Sequence, residues 1–516
     1  MQRKKNTLLN IIVSLAKLAL ATLLSLVVSR EILNHYGSAV NGVIATASQT
    51  TILLQILEGG FTTATLVALF KPFVANDHDT FNRILSSTAS AFAKIALLTL
   101  LAGGATAILY PLWLTHHGTT LAYWKCALIF GFITISTALN FAFFQPRIIA
   151  FSVAQKEYVT QTSTMIFNTL SQLLMLLLVT MRADVVWLRA GVMVMLALNG
   201  VCICMLAKKE FPFLRVNVLC EGQIIHGTKD VFIVNVVVAV YYSGPIFMIA
   251  TVFGTAAASI YSVYFMFFSM ISHTLFAIAI SPKNAFGQLL YDENASPGKF
   301  DALYTAFETI IIGLGAIAYS TAFVVILPLL GVYTQKMSDS ASYIEPFYAL
   351  FFAVLCFTQV IHIPADLLMQ ISGRFRAIRI IQCVMLAAML ILGTIGAFIG
   401  GLRGMLCGLL GANFLLASSV FTFSYRTILK KKLLPLVARL GILIFLGICI
   451  VFVESKFHVQ GSTWGAVLAY AAVIAILNAL LLGGTTLFLM PTPARKQVLD
   501  LVNLLFKRSR RAEVAK

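Results

Sequence analysis

The stretch LLNIIVSLAKLALATLLSLVVSR at residues 8–30 has the length and apolar content of a membrane-spanning helix. Similar segments follow along the chain, and together with the first they number about fourteen. They cover residues 8–30, 43–70, 85–112, 121–144, 161–181, 185–206, 231–253, 257–280, 304–330, 347–369, 378–400, 404–424, 436–454 and 463–489. A soluble domain of 516 residues, of which 59% are hydrophobic and 11% charged, would leave too much apolar surface in water. Because a helix satisfies its own backbone in lipid, we predict an all-α membrane protein with about 14 transmembrane helices.

The connections between these segments are short. They leave no room for a nucleotide-binding domain, and the chain lacks the glycine-rich loop that binds nucleotide phosphates. No loop is large enough to form a separate catalytic domain. We therefore expect the function to reside within the helical bundle.

The distribution of Lys and Arg predicts the orientation. If the N-terminus is cytoplasmic, inner loops and tails hold 26 of the 37 basic residues, and outer turns hold only Arg182, Lys336, Arg403 and Lys456. Both termini are therefore predicted to be cytoplasmic. The net charge of +18 follows from this topology and does not indicate nucleic-acid binding. We also expect the basic inner face to be attracted to anionic membrane lipids.

A repeat relates the two halves of the chain. Tyr36-Gly37-Ser38-Ala39 returns 217 residues later as Phe253-Gly254-Thr255-Ala256, and a similar offset carries Pro146 onto Pro364. Each half then holds six spans, which predicts a parallel pseudo-repeat with a substrate site between the lobes. The predicted parts are an N-terminal lobe (1–215), a C-terminal lobe (216–430), two further spans (431–490) and a basic cytoplasmic tail (491–516).

Polar residues form stripes on two of the predicted spans. In the first span the stripe is Asn10, Ser14, Lys17, Ala21, Ser25 and Ser29, and in the second it is Ser48, Thr51, Gln55, Glu58 and Thr62. Such stripes avoid lipid and face either other helices or water. Hydrogen bonds between helices would explain the Ser and Thr residues, and a polar cavity is the alternative. As candidate substrate-binding residues we take Ser14, Ser25 and Gln55.

Charged residues within spans are the sharper candidates, because a charge near mid-membrane costs about 2.5–3.5 kcal/mol on insertion scales. Lys17 and Glu58 lie at comparable depth, so one interpretation is a salt bridge joining the first two spans. The functional interpretation is that Lys17 binds an anionic ligand and Glu58 is the ion-coupling site. Lys94 is a second candidate cation for the ligand. Lys125 and Arg189 lie near span ends and are interpreted as snorkelling residues.

The eight cysteines fall in spans or at their ends, without Cys-x-x-Cys spacing. They indicate neither disulfides nor a metal site. No other pattern in the sequence implies a cofactor, so none is expected.

Several short motifs resemble the opening of bacterial polysaccharide transporters, which are lipid-linked oligosaccharide flippases of the multidrug/oligosaccharidyl-lipid/polysaccharide exporter superfamily. The motifs are Arg30-Glu31-Ile32-Leu33, Gly37-Ser38, Asn41-Gly42, Glu58-Gly59-Gly60, Phe70-Lys71-Pro72 and, after the fourth span, Ala154-Gln155-Lys156-Glu157-Tyr158. The resemblance is clearest over residues 30–160. It implies a MATE-like fold of two six-helix lobes around a cavity that opens alternately to each side of the bacterial inner membrane.

The resemblance also implies a cargo, an undecaprenyl-diphosphate-linked oligosaccharide that is flipped from the inner to the outer leaflet. O-antigen, capsule or exopolysaccharide assembly would use it, with a polysaccharide polymerase or other assembly proteins as candidate partners. Fourteen spans also resemble the peptidoglycan-precursor branch, so that cargo stays open. A small-solute or drug antiporter of the same superfamily and a membrane-embedded glycan polymerase are the alternatives. A polymerase would normally need a large outer loop with clustered acids or Arg, and none is present. We therefore expect a transporter and not an enzyme.

Overall fold

The computed structural model is built from α-helices, with no strand among the residues that it describes. The described residues are 2–58, 61–116, 121–216, 229–280, 282–290, 298–335, 342–454, 456, 463–490 and 495. The helices are α1 (Gln2–Gln55), α2 (Phe61–Val74), α3 (His78–His116), α4 (Tyr123–Leu139), α5 (Gln145–Val153), α6 (Glu157–Thr180), α7 (Val185–Glu210), α8 (Lys229–Phe253), α9 (Thr255–Ile280), α10 (Lys283–Leu290), α11 (Lys299–Tyr333), α12 (Pro346–Ile361), α13 (Ile363–Ile371), α14 (Phe375–Phe423), α15 (Leu434–Glu454) and α16 (Trp464–Leu489). A 3₁₀ turn covers Ile56–Glu58, and π-helical segments cover Asn140–Phe144 and Ser424–Leu429.

Within the described residues, twelve helical stretches are long and apolar enough to cross a membrane. Two of them, Ala19–Glu58 and Phe375–Leu429, contain an internal break in the helical backbone. Each of these two covers a pair of predicted spans, so twelve stretches account for the fourteen segments expected from the sequence. The predicted fold class is confirmed, and the chain is a multi-pass membrane protein.

The break in α14 lies at Gly400 and Gly401, and Gly401 has a left-handed φ of 57°. The chain folds back there into a helical hairpin. A Cβ atom added to Gly404 would lie 2.2 Å from the carbonyl oxygen of Gly396, and one added to Gly408 would lie 2.1 Å from that of Leu392. Glycines therefore allow the two arms of the hairpin to pack backbone against backbone.

The pseudo-repeat is visible in the backbone. Gly37 and Gly254, the second residues of the repeated motif, have φ angles of 81° and 87°. Pro146 and Pro364 each lie in the first turn of a nine-residue helix, α5 and α13. The N–H group that proline lacks is not needed there for a helical hydrogen bond. Corresponding sequence signals thus produce corresponding structure in the two halves.

One predicted span is interrupted. The sequence predicts a second span over 43–70, and within it α1 ends at Gln55 and α2 begins at Phe61. Gly59-Gly60 in the sequence lowers helix propensity at this point. The Glu58 carboxylate accepts a hydrogen bond of 3.3 Å from the Thr62 backbone N–H, where the helix dipole of α2 favours a negative charge.

The described residues up to Val263 form one compact unit, and those from Tyr264 onward form another. In the first unit, α1 packs against α4, α6 and α8. In the second, α15 and α16 pack against α11. The lobe boundary expected at residues 215 and 216 stays a prediction, since residues 217–228 lie outside the described part of the chain.

Candidate functional site

The first unit contains a cavity of about 310 Å³, lined by both polar and apolar side chains, between α1, α4, α6, α7 and the π-helical segment. Its polar lining residues are Ser48, Thr51, Gln55, Ser136, Thr137, Asn140, Thr164, Arg189 and Asn199. Phe132, Phe144, Met193 and Leu196 are among the apolar ones. Three residues of the stripe predicted on the second span, Ser48, Thr51 and Gln55, thus face one cavity.

Arg189 enters this cavity from α7. Its Nη2 donates to the backbone oxygen of Ile44 at 3.1 Å and to the hydroxyl oxygen of Ser48 at 2.8 Å. The Nε atom is buried and has no hydrogen-bond partner in the structure. Arg189 is the only charged residue among the described residues that line the cavity. The interpretation of Arg189 as a snorkelling residue was therefore wrong, because the guanidinium points into the protein.

Lys125, which received the same interpretation, lies near the start of α4 and pairs with Asp184 in the connection between α6 and α7. Burial by itself would raise the pKa of the Asp184 carboxyl. The hydrogen bonds from Lys125 and from the Val186 backbone outweigh that effect and lower the pKa. Asp184 thereby caps the start of α7, the helix that carries Arg189.

Hydrogen bonds between side chains of α6 and α7 hold a second part of the cavity wall. The hydroxyl of Ser163 donates to Asn199 Oδ1 at 2.7 Å, and Asn199 Nδ2 donates to Thr164 at 3.4 Å. A Cβ atom on Gly200 would lie 1.9 Å from the ring of Phe144, so glycine is needed for that ring to line the cavity. Phe144 ends the π-helical segment, a type of distortion that is frequent at functional sites.

The structure places the predicted site residues in different surroundings. Gln55 lines the cavity, whereas the Lys17 Nζ donates to Gln161 Oε1 on α6 at 2.7 Å. The Ser25 hydroxyl donates to the Thr22 carbonyl of its own helix at 2.8 Å. Lys94 has an exposed side chain on α3. The side chain of Ser14 lies outside the described residues.

Lys17 and Glu58 do not form an ion pair among the described residues. Lys17 binds a neutral amide on α6, and Glu58 accepts a backbone hydrogen bond at the start of α2. The salt bridge that would join the first two spans is therefore absent from this structure.

The second unit has polar clusters of its own. Glu308 on α11 binds Arg439 on α15 at 3.1 Å and accepts a hydrogen bond of 2.5 Å from Tyr425 in the second π-helical segment. At a different point, Gln370 Nε2 donates to Asp366 at 2.8 Å, and Lys283 donates to Gln370 Oε1 at 2.7 Å.

The same unit holds the two C-terminal helices on α11. Asn478 of α16 donates to Thr321 of α11 at 3.1 Å and to Glu454 of α15 at 3.4 Å. A Cβ atom on Gly313 of α11 would lie 2.3 Å from the Thr486 hydroxyl of α16. The last two spans, which the repeat leaves out, are thus fixed to α11 by buried polar contacts and close packing.

Sequence reasoning missed Arg189 as a cavity residue, although a signal for it was present. Asn199 and Gly200 follow Arg189 by ten and eleven residues, which is about three helical turns. The three residues therefore share one face of α7. Ser136, Thr137 and Asn140 mark the facing side of α4 and its π-helical extension in the same way.

Comparison with known proteins places the fold. No family model matches the chain, and no curated protein matches it by sequence. An inward-facing multidrug resistance MATE family transporter of the MOP superfamily is 12% identical, with a TM-score of 0.63 and coverage of 84% of this chain and 99% of that one.

Two further solved structures are similar. The lipid II flippase MurJ in an inward closed conformation is 10% identical, with a TM-score of 0.65 over 92% of this chain and 98% of the flippase. A MOP superfamily transporter from Pyrococcus furiosus, described as having a binding pocket of reverse polarity, is 14% identical, with a TM-score of 0.52 over 83% of this chain and 97% of that one. The chain therefore has the fold that MATE transporters share with the lipid II flippase.

Proposed function

We propose that this protein is a flippase for an undecaprenyl-diphosphate-linked oligosaccharide. It moves the lipid from the inner to the outer leaflet of the bacterial inner membrane by ion-coupled alternating access, for O-antigen, capsule or exopolysaccharide assembly. The fold supports transport, because a protein named as a lipid II flippase has it over 92% of this chain. A polysaccharide polymerase or another assembly protein would take the product, and both termini would be cytoplasmic.

The observation that carries this proposal is the environment of Lys17. Its ammonium group is half-buried on α1, in the first span predicted from the sequence (8–30) and two residues before the stretch Ala19–Glu58 that could cross a membrane, and it is hydrogen-bonded at 2.7 Å to the neutral amide of Gln161. None of the ion pairs among the described residues involves Lys17. A cation without a carboxylate partner in a membrane segment is costly unless an anionic ligand offsets its charge. A lipid diphosphate provides such a charge.

The test is flipping of a fluorescent undecaprenyl-diphosphate oligosaccharide in vesicles that contain the purified protein. Lys17→Ala should reduce the flipping rate at least about tenfold, because it removes a hydrogen bond to the charged diphosphate. Hydrogen bonds to charged groups contribute more than those between neutral groups. Lys17→Arg should keep part of the activity, because the charge remains while the shape of the group changes. Lys432→Ala, which removes an exposed cation, is the matched control and should flip at the wild-type rate. A wild-type rate in Lys17→Ala vesicles would contradict the proposal.

Glu58 is the proposed ion-coupling residue. Its carboxylate is half-buried and accepts a backbone hydrogen bond of 3.3 Å, and no ion pair among the described residues involves it. Glu58→Gln should stop flipping that is driven by a pH or Na⁺ gradient while leaving the protein folded. Gradient-driven flipping at the wild-type rate in that variant would exclude the coupling role.

A small-solute or drug antiporter is the second candidate. The similarity to the multidrug MATE structure, over 84% of this chain, favours it. Efflux of cationic dyes from vesicles would identify this activity. The absence of a carboxylate from the described lining of the cavity argues against cationic drugs as cargo at that site.

A further inference from the structure

The cavity of the first unit carries one positive charge and no described negative charge. Arg189 is its only charged lining residue within the described part of the chain, and the two groups that Arg189 binds, Ile44 O and Ser48 Oγ, are neutral. A buried guanidinium without a counter-charge is expensive in a medium of low dielectric constant. An anion in the cavity would offset that cost.

The hydrogen-bond donors of the cavity fit an anion. The hydroxyl groups of Ser136, Thr137 and Thr164 donate to carbonyl oxygens of their own helices, so their protons are already used. Asn140 and Gln55 line the cavity, and neither side-chain amide has a hydrogen-bond partner among the described residues. Each amide carries two N–H donors, and Arg189 adds the positive charge of its guanidinium.

The dimensions of the cavity also agree with a small ligand. Its volume of about 310 Å³ is too small for a lipid-linked oligosaccharide but holds a small anion with several waters, each of which takes about 30 Å³ in the liquid. Asn199 lies on the same face of α7 as Arg189, and its hydrogen bonds to Ser163 and Thr164 fix the wall of the cavity.

We propose that this cavity is a binding site for a small monovalent inorganic anion, with chloride as the probe. Arg189 supplies the charge, and the amides of Gln55 and Asn140 supply neutral donors. The site lies within the first unit and does not depend on which cargo the protein moves. It would make the stability of that unit respond to halide.

The experiment measures thermal unfolding of the purified full-length protein in detergent while chloride replaces gluconate at fixed Na⁺ and ionic strength. A ligand that binds only the folded state raises the midpoint with its concentration. The wild type should show a chloride-dependent rise in Tm, and Arg189→Gln should show none. Arg182→Gln, the same chemical change in the exposed turn before α7, is the matched control and should respond as the wild type does. No response in the wild type, or an equal response in Arg189→Gln, would overturn the site.

Two further variants keep the test decisive if Arg189→Gln does not accumulate. Gln55→Leu and Asn140→Leu each remove an amide donor without leaving an unpaired charge. Each should move the chloride dependence to concentrations about tenfold higher, the loss expected for one hydrogen bond to a charged ligand. An unchanged chloride dependence in both variants would count against the proposal. Since no glycolipid is present, these outcomes are independent of the proposed flippase activity.

Discussion

Arg439 and Glu308 form the least exposed ion pair among those of the described residues, with 11% and 0% of the side chains accessible. Arg439 also donates a hydrogen bond to Thr309, and Tyr425 donates one to Glu308. Removing one partner would leave the other as an uncompensated buried charge. This pair therefore fixes α15 to α11. Substituting either partner alone should lower the stability of the protein.

At the residue scale we expect Arg439→Met to lower the free energy of unfolding by about 3–5 kcal/mol. The double variant Glu308→Leu/Arg439→Met should lose less, because no unpaired charge is left. Chemical denaturation of the purified protein in detergent measures both losses.

The matched control is Arg403→Met, which breaks a pair with Glu345 in which 64% of the arginine side chain is exposed. Exposed pairs contribute only about 0–1 kcal/mol, so this variant should differ little from the wild type. A double variant that is no more stable than Arg439→Met would show that the loss comes from packing and not from the charge.

Which charged residues reach a polar site could be predicted only in part from the sequence. Lys17 stood out because it interrupts an apolar run. Arg189 lies close to the start of its helix, where a long side chain can usually reach water, so its position alone favoured snorkelling. The direction of the side chain depends on the neighbouring α1, whose Ile44 and Ser48 supply the acceptors.

At the scale of elements, hydropathy predicts the helices well and their distortions poorly. A π-helical segment such as Asn140–Phe144 inserts a residue without changing the apolar composition, so no hydropathy signal marks it. The glycine motifs were more informative. The repeat predicts that Gly37 and Gly254 occupy corresponding positions in the two halves. In the structure both glycines have a positive φ angle.

Close packing of α1 against the start of α9 gives an element-scale prediction. A Cβ atom on Gly42 would lie 1.7 Å from the backbone oxygen of Thr255, and nearby Asn41 donates to Ser259 at 2.7 Å. Gly42→Ala should therefore force the two helices apart and lower the free energy of unfolding by about 1–3 kcal/mol. Gly104→Ala is the control, since no atom lies within 4 Å of its added Cβ. Equal stability of the two variants, measured by denaturation in detergent, would contradict this account of the contact.

At the scale of the whole molecule, the orientation in the membrane is still a prediction from charge. Of the 37 basic residues in the sequence, 26 lie in the connections and tails that are predicted to share one side of the membrane. Moving so many Lys and Arg residues across the membrane would be costly, and this cost is the physical basis of the positive-inside rule. The helix order fixes which connections share a side, but it does not say which side is cytoplasmic.

Labelling of single cysteines in a cysteine-free variant decides the orientation. In intact cells, a membrane-impermeant maleimide should react with Arg182→Cys, in the turn between α6 and α7. It should not react with Ala75→Cys or Lys431→Cys until the cells are opened, because those positions lie in basic connections predicted to be cytoplasmic. All three positions are in short exposed or half-exposed connections, so differences in reactivity report the side of the membrane and not burial. Reaction of Lys431→Cys in intact cells would reverse the topology. The direction of flipping proposed for this fold would then have to be reversed as well.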